Sequence, residues 1–247
     1  MPTEIVQAIV TGYTDYRDND RMLTLFSAQR GRIDCKARNC RKPTAPLLAC
    51  AQPFVFGEFE LFTHSERTTV NGCELRESFY PLREDVDRFM IASVATQLCN
   101  SVIEHDAPDE ALFSLLYHTL SFLAYSESDP KDLLFAFLLH YLNHAGYRPS
   151  LTRCAVCRRD IRADVVLYYS ADAGGAVCAA CPHGGKPVSK LALEAMRRIL
   201  MLSDEELVRV KLPEAVQKEL FPILRSSCAK MLGENDRAIA LLDQIQS

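Results

Sequence analysis

Up to about residue 80 the chain alternates apolar and polar positions with a period of two, in short runs broken by Gly, Asp and Asn. Ile5–Val10 predicts a strand ending at Gly12. Further strands are predicted over Arg21–Phe26, Arg32–Ala37, Pro53–Phe62 and Thr68–Arg76. Phe54 and Phe56 share one side, and Phe59 and Leu61 resume the period after Gly57. The phase change at that glycine predicts a β-bulge. Short strands this closely spaced predict a small barrel.

From Pro81 the apolar spacing becomes helical. Val86, Phe89, Met90, Val94, Leu98 and Val102 form one stripe of a helix over Arg83–Ile103, and a second helix follows Pro108 to about Ala124. Asp129-Pro130, an N-cap followed by first-turn proline, opens a third helix that stops near His144, before Gly146. Residues 151–185 are irregular and cysteine-rich, with a strand over Val165–Tyr169 and a turn at Gly174-Gly175. Helical spacing resumes at Ser189, and Ser203 with Glu206 matches a capping box. Pro222 should kink or split a longer helix over Pro213–Leu232, and Glu234–Gln246 reads as a last short helix. The expected organisation is α+β: a barrel (1–80), a first helical part (81–150), an insertion (151–185) and a second helical part (186–247).

Composition narrows the class. With 48% hydrophobic and 24% charged residues in 247, the chain is neither disordered nor collagen-like. Its opening residues carry no basic or apolar run, and no stretch of about 18 uncharged apolar residues occurs. The expectation is a cytoplasmic chain, without membrane association, whose ten cysteines stay reduced.

Four of those cysteines have metal-ligand spacing. Cys154-x2-Cys157 and Cys178-x2-Cys181 are separated by twenty residues. Two tight turns can aim four sulfurs at one ion, which predicts one structural zinc per chain in a zinc-ribbon hairpin. Arg153, Arg158, Arg159 and Arg162 are placed to offset the thiolate charge, and His183 is an alternative ligand. Four protein ligands leave no open position for catalysis. His64-Ser65-Glu66 matches part of the zinc-deaminase signature, but Val177 precedes Cys178 where that signature has proline. Cys35, Cys40, Cys50, Cys73, Cys99 and Cys228 lack metal spacing and read as packing thiols. Phosphate-loop, dinucleotide and nucleophile-elbow motifs are missing.

The net charge of −4 argues against a nucleic-acid partner until it is divided. Residues 81–153 carry −5, whereas Arg30, Arg32, Lys36, Arg38, Arg41 and Lys42 face only Asp34 within 30–42, a net +5. A cationic loop at a barrel edge suits a phosphate backbone. Tyr13, Tyr16 and Phe26 are near enough to stack on bases, but read first as core residues.

These features together resemble the RecO family of bacterial DNA repair and recombination mediators over nearly the whole chain. The resemblance is carried by Asp15 to Phe26, by Gly31-Arg32-Ile33 through Ala37-Arg38-Asn39-Cys40-Arg41-Lys42-Pro43, by Gln52-Pro53-Phe54 and by Leu82-Arg83-Glu84-Asp85, with the four-cysteine insertion following. Asn39 stands near the family's usual glycine. The resemblance implies an OB-fold barrel followed by a helical domain with a zinc-ribbon insertion. It implies a nucleoid-associated protein without enzymatic activity that binds single- and double-stranded DNA and anneals complementary strands. With RecR, such a protein helps load RecA onto DNA coated by single-strand binding protein. The DNA-binding candidates are Arg32, Lys36, Arg38, Arg41 and Lys42, then Arg17 and Arg21. Lys190, Arg197 and Arg198 are candidates to receive the acidic tail of single-strand binding protein. The competing readings are a zinc-dependent hydrolase or deaminase acting on nucleic acid, and a structural adaptor that meets only proteins.

Overall fold

A computed structural model describes residues 3–65, 67–181 and 184–245. The chain forms two compact units, Met1–Tyr125 and Ser126–Ser247.

In the first unit, five strands close a barrel in the order β1-β2-β3-β5-β4. They are β1 (Thr3–Tyr16), β2 (Asp20–Ser27), β3 (Gly31–Ala37), β4 (Phe56–His64) and β5 (Arg67–Glu77). Alternate residues such as Val6, Ala8, Val10, Leu23, Leu25, Cys35, Phe59 and Leu61 fill the interior. The register shifts between Phe56 and Gly57, so the expected bulge is present. Phe54 is not in the strand: its φ of 72° makes it a turn residue.

The first strand does not end at Gly12. It continues to Tyr16 through a register shift between Val10 and Gly12. The bulged Thr11 is held from α1 (Val86–Asn100): its hydroxyl donates to Asn100 Oδ1 at 2.7 Å, and Asn100 Nδ2 donates to its carbonyl at 3.1 Å. This lets one long strand pair with β4 in its first half and β2 in its second. A 3-10 turn (Tyr80–Arg83) precedes α1, where one longer helix was expected. Outside the barrel, Phe113 and Tyr117 of α2 (Glu110–Tyr125) meet Phe26 and Phe56 edge-on at 5.5 and 5.3 Å.

Gly31 opens β3 with φ 63°, and a Cβ there would stand 2.3 Å from the Ala107 carbonyl. The loop after α1 therefore docks on bare backbone, with Arg32 N–H donating to Glu104 O at 3.0 Å. Gly31→Val should cost about 3 kcal/mol or more, from left-handed strain plus collision. The melting midpoint should fall by at least about 8 °C. An unchanged midpoint would contradict this docking.

The second unit is built around α3 (Pro130–His144), which is apolar on nearly every side from Leu133 to Leu142 and correspondingly buried. Asp129 caps it, accepting from Lys131 N–H at 2.8 Å. Against it pack α4 (Lys190–Ile199) and α5 (Glu214–Leu232), and α6 (Arg237–Gln244) packs on α5. A three-stranded sheet of β6 (Leu167–Ser170), β7 (Gly175–Cys178) and β8 (Lys186–Pro187) runs in the order β7-β6-β8. Tyr169 on β6 meets Ser227 on α5, oxygen to oxygen at 3.1 Å. The buried Asp132 accepts from Gln217 Nε2 at 2.8 Å and from Leu212 N–H at 3.2 Å.

The expected capping box of Ser203 and Glu206 is present, with Glu206 accepting the Ser203 N–H at 3.2 Å, and the element it opens, Asp204–Arg209, is a 3-10 helix. Pro222 does not split α5, which is continuous. Proline frees the carbonyl four residues back, at the exposed residue Lys218.

Candidate nucleic-acid interface and metal centre

The turn joining β1 to β2 and the loop leaving β3 lie together at one end of the barrel. Asn39 N–H donates to Asp20 Oδ1 at 2.8 Å, and Arg41 N–H donates to Asn19 O at 3.1 Å. Both loops turn through left-handed residues, Arg17 at φ 55° and Asn39 at φ 52°. Asn39 thus adopts at that position a conformation usually left to glycine.

The backbone lacing sorts the candidate cations. Arg38 and Lys42 are exposed and have no carboxylate partner among the described residues. Arg41 reaches Asp15 at 3.4 Å and donates to Asp18 O at 3.3 Å, yet stays on the surface. Lys36 pairs with Asp20 at 2.8 Å, and that pairing, with the Asn39 N–H, holds the Asp20 carboxyl below its ordinary value. Arg21 is a brace: it pairs with Asp15 at 3.0 Å, donates to Ala51 O at 2.6 Å and lies 4.0 Å from the Tyr13 ring centre. Arg32 is at the far end of β3, about 20 Å of strand from Arg38, and pairs with Asp34 at 3.1 Å. Arg30 pairs with Glu4 and Asp106.

The aromatic residues divide differently from the expectation. Phe26 is buried, but Tyr13 and Tyr16 are 44% and 41% exposed. Beyond the Thr11 bulge β1 has left β4 and pairs only with β2, and residues 13–18 are exposed. Arg17 and Lys36 lie 5.2 and 4.8 Å from the Tyr16 ring centre. A cleft of about 450 Å³ beside this end is walled by Arg38, Lys42 and Thr44 on one side and by Thr69 and Asn71 on the other. Sequence spacing gave no signal for Thr69 and Asn71, which reach the cleft through the parallel pairing of β3 with β5.

In the second unit, the four cysteine sulfurs of 154, 157, 178 and 181 all lie within 4.8 Å of one another. The Cys157 and Cys178 sulfurs are 3.8 Å apart. The edge of a sulfur tetrahedron around zinc, at about 2.3 Å per bond, is also about 3.8 Å. The donor set therefore fits a closed tetrahedral ion. Burial raises the Cys154 thiol, but backbone N–H groups of Cys157, Cys178 and Val156 outweigh it and bring the thiol down to about 6. Of the expected counter-charges, Arg159 hydrogen-bonds the Cys178 sulfur and holds that thiol below its ordinary value. Arg162 pairs with Asp160 instead. His183 and Glu66 lie outside the described residues. His64 is in the barrel unit and Cys178 in the other.

The α4 cations are not grouped. Lys190 Nζ donates to Ala163 O at 3.4 Å, and Arg197 Nε donates to Leu193 O at 3.2 Å. Only Arg198 lines an apolar cleft of about 370 Å³, with Leu191, Leu202, Arg209, Lys211 and Val216.

Residues 1–79 match the family model described as Recombination protein O N terminal, and residues 83–238 match Recombination protein O C terminal. The chain belongs to the RecO family. It is 34% identical over 237 residues to the DNA repair protein RecO of Desulfitobacterium hafniense strain DSM 10664, covering 94% of this chain and 86% of that one. It is 30% identical over 243 residues to the protein of the same name from Desulforamulus reducens, covering 97% and 94%. Symbiobacterium thermophilum has another at 28% over 246 residues, covering 98% and 97%. No helix among the described residues is long and apolar enough to cross a membrane.

Proposed function

We propose that this RecO family chain is a DNA-binding mediator of recombinational repair that anneals complementary single strands. With RecR it helps load RecA onto single-stranded DNA coated by single-strand binding protein. The observation that carries this reading is the pair of laced loops at the barrel end, which present Arg38, Lys42 and Arg17 to solvent, with Arg17 beside the exposed Tyr16 ring. Annealing requires that two phosphate backbones be neutralised while base edges stay free to pair. Arginine and lysine side chains carried on a hydrogen-bonded backbone frame do this without reading sequence. Tyr16 adds a ring on which a base of any identity can stack. The relatives' name, DNA repair protein, agrees with this role. On this reading the protein works in the cytoplasm at the nucleoid, and DNA chemistry is left to its partners.

The four cysteines hold zinc as a structural brace. Four thiolates close the coordination sphere, so the deaminase or hydrolase reading lacks the position for an activated water. X-ray absorption should find sulfur ligands alone; a light-atom ligand would favour the enzyme reading.

The acidic tail of single-strand binding protein is assigned to the Leu191–Val216 cleft. Arg198, Arg209 and Lys211 rim an apolar floor there, with Glu194 paired to Arg198 at 3.2 Å, and the surplus of cations suits an acidic peptide. Arg198→Glu should weaken binding of a labelled tail peptide about tenfold or more, whereas Lys190→Glu, which is outside the cleft, should change it little. Equal effects would move the tail elsewhere. The proposal as a whole is tested by mixing two complementary oligonucleotides with the chain. Annealing should accelerate with protein concentration, and an unchanged rate would favour the protein-only adaptor.

A further inference from the structure

Strands β3 and β5 run parallel only from Cys35 and Thr68 to Ala37 and Val70. Beyond that pairing lies the barrel-end cleft of about 450 Å³. One wall is the basic loop, with Arg38, Lys42 and Thr44; the other is β5, with Thr69 and Asn71. Leu47 and Val70 also line it, and both belong to the barrel core. The loop wall is fixed by backbone bonds, Lys42 N–H to Asn39 O at 3.1 Å and Ala45 N–H to Lys42 O at 2.9 Å. The β5 wall carries a bulge: Val70 pairs with Leu61 and Gly72 with Glu60, which leaves Asn71 as the extra residue. A bulge re-aims a side chain, and here the re-aimed residue is exposed and lines the cleft.

The chemistry of this lining is one-sided. Among the described residues, those lining the cleft include no carboxylate. Arg38, Lys42, Thr44, Thr69 and Asn71 can all donate hydrogen bonds from their side chains, and none of these five side chains has a partner among the described residues. The nearby carboxylates of Asp15 and Asp20 are taken by Arg21, Arg41 and Lys36. We propose that the cleft holds the phosphomonoester at the end of a DNA strand. An internal phosphodiester brings a single negative charge and two free oxygens. A terminal phosphate brings a charge of about −1.5 to −2 at pH 7 and three oxygens. Two unpaired cations and three neutral donors match the terminal group.

The cleft adjoins the surface assigned to strand binding, since Arg38 and Lys42 belong to both. A strand held on the basic loop can therefore lay its last phosphate between that loop and β5. This preference for strand ends rests on the DNA-binding reading of the same loop, and it involves no base edge. A 5′ end and a 3′ end can carry the same phosphate group, so the cleft's chemistry is common to both.

The test is a fluorescence-anisotropy titration of the full chain with a short oligonucleotide labelled on an internal base. It is used in three forms at fixed salt: with a 5′-phosphate, with a 3′-phosphate, and with hydroxyls at both ends. Hydrogen bonds to a charged group are the strong ones, so at least one phosphorylated form should bind about tenfold tighter than the hydroxyl form. Which form gains identifies the end. Asn71→Ala and Thr69→Val should each bring the ratio of the two affinities toward one. A gain from added charge alone would survive these neutral substitutions, and a preference that survives both would overturn the proposal. Equal binding of all three forms would overturn it too, while leaving the DNA-binding reading in place. Binding of none of them would overturn that reading as well. Because the three forms are compared on the unsubstituted chain, the outcome does not rest on how the variants fold.

Discussion

Replacing Cys154 and Cys157 together by alanine is expected to reduce bound zinc from one per chain to near zero. The remaining sulfurs, Cys178 and Cys181, supply half a tetrahedron, and two thiolates bind zinc far more weakly than four. The structural effect should be large and confined. In small zinc domains the apparent binding free energy is about 10–16 kcal/mol, because the metal does the work of a core. Here α3 supplies a separate core through residues such as Phe135, Phe137 and Tyr141. The loss should therefore be a few kcal/mol, concentrated between residues 151 and 187. Amide exchange should accelerate in β6 and β7 while the barrel strands keep their protection. Elemental analysis by mass spectrometry checks the metal, and one zinc retained per chain would refute the site.

Changing Arg38, Arg41 and Lys42 together to alanine is expected to flatten the salt dependence of single-strand binding. Each phosphate neutralised on a single strand contributes about 0.7 to the slope of log K against log salt, so the variant should lose about 2 from that slope. Affinity near 0.1 M salt should drop by roughly tenfold or more. The fold should survive, because the loop is laced through backbone groups: Asn39 N–H to Asp20, and Arg41 N–H to Asn19. Arg32→Ala should have a smaller effect, since that side chain stands at the other end of β3 and already pairs with Asp34. If Arg32→Ala matched the triple variant, the site would extend along the strand instead of gathering at its end.

Local chemistry was legible where one residue decides the backbone. The bulge at Gly57, the Asp129-Pro130 start and the capping pair of Ser203 and Glu206 could all be read from order alone. So could the four-cysteine spacing, because two-residue turns constrain where sulfurs point. What escaped was set by partners distant in sequence. Gly12 looked like a strand end, but Asn100, arriving from α1, holds the bulge at Thr11 and lets the strand run on. Tyr13 and Tyr16 looked like core residues, because nothing local signals that this end of β1 leaves β4 and pairs only with β2. The segment's +5 also overstated its free charge. Lys36 and Arg41 meet Asp20 and Asp15 of the neighbouring turn, and Arg30 meets Glu4 and Asp106. Arg38 and Lys42 are the cations of that run without such carboxylates among the described residues.

The central claim is that the barrel end neutralises a phosphate backbone. A fluorescence-anisotropy titration of the intact chain with a labelled single-stranded oligonucleotide, repeated across a salt series, tests it most directly. Binding should be tight at low salt, insensitive to sequence, and weaken along a straight line in log K against log salt, with the triple variant about 2 shallower. An absence of binding at the lowest salt, or a slope unchanged by removing Arg38, Arg41 and Lys42, would contradict it.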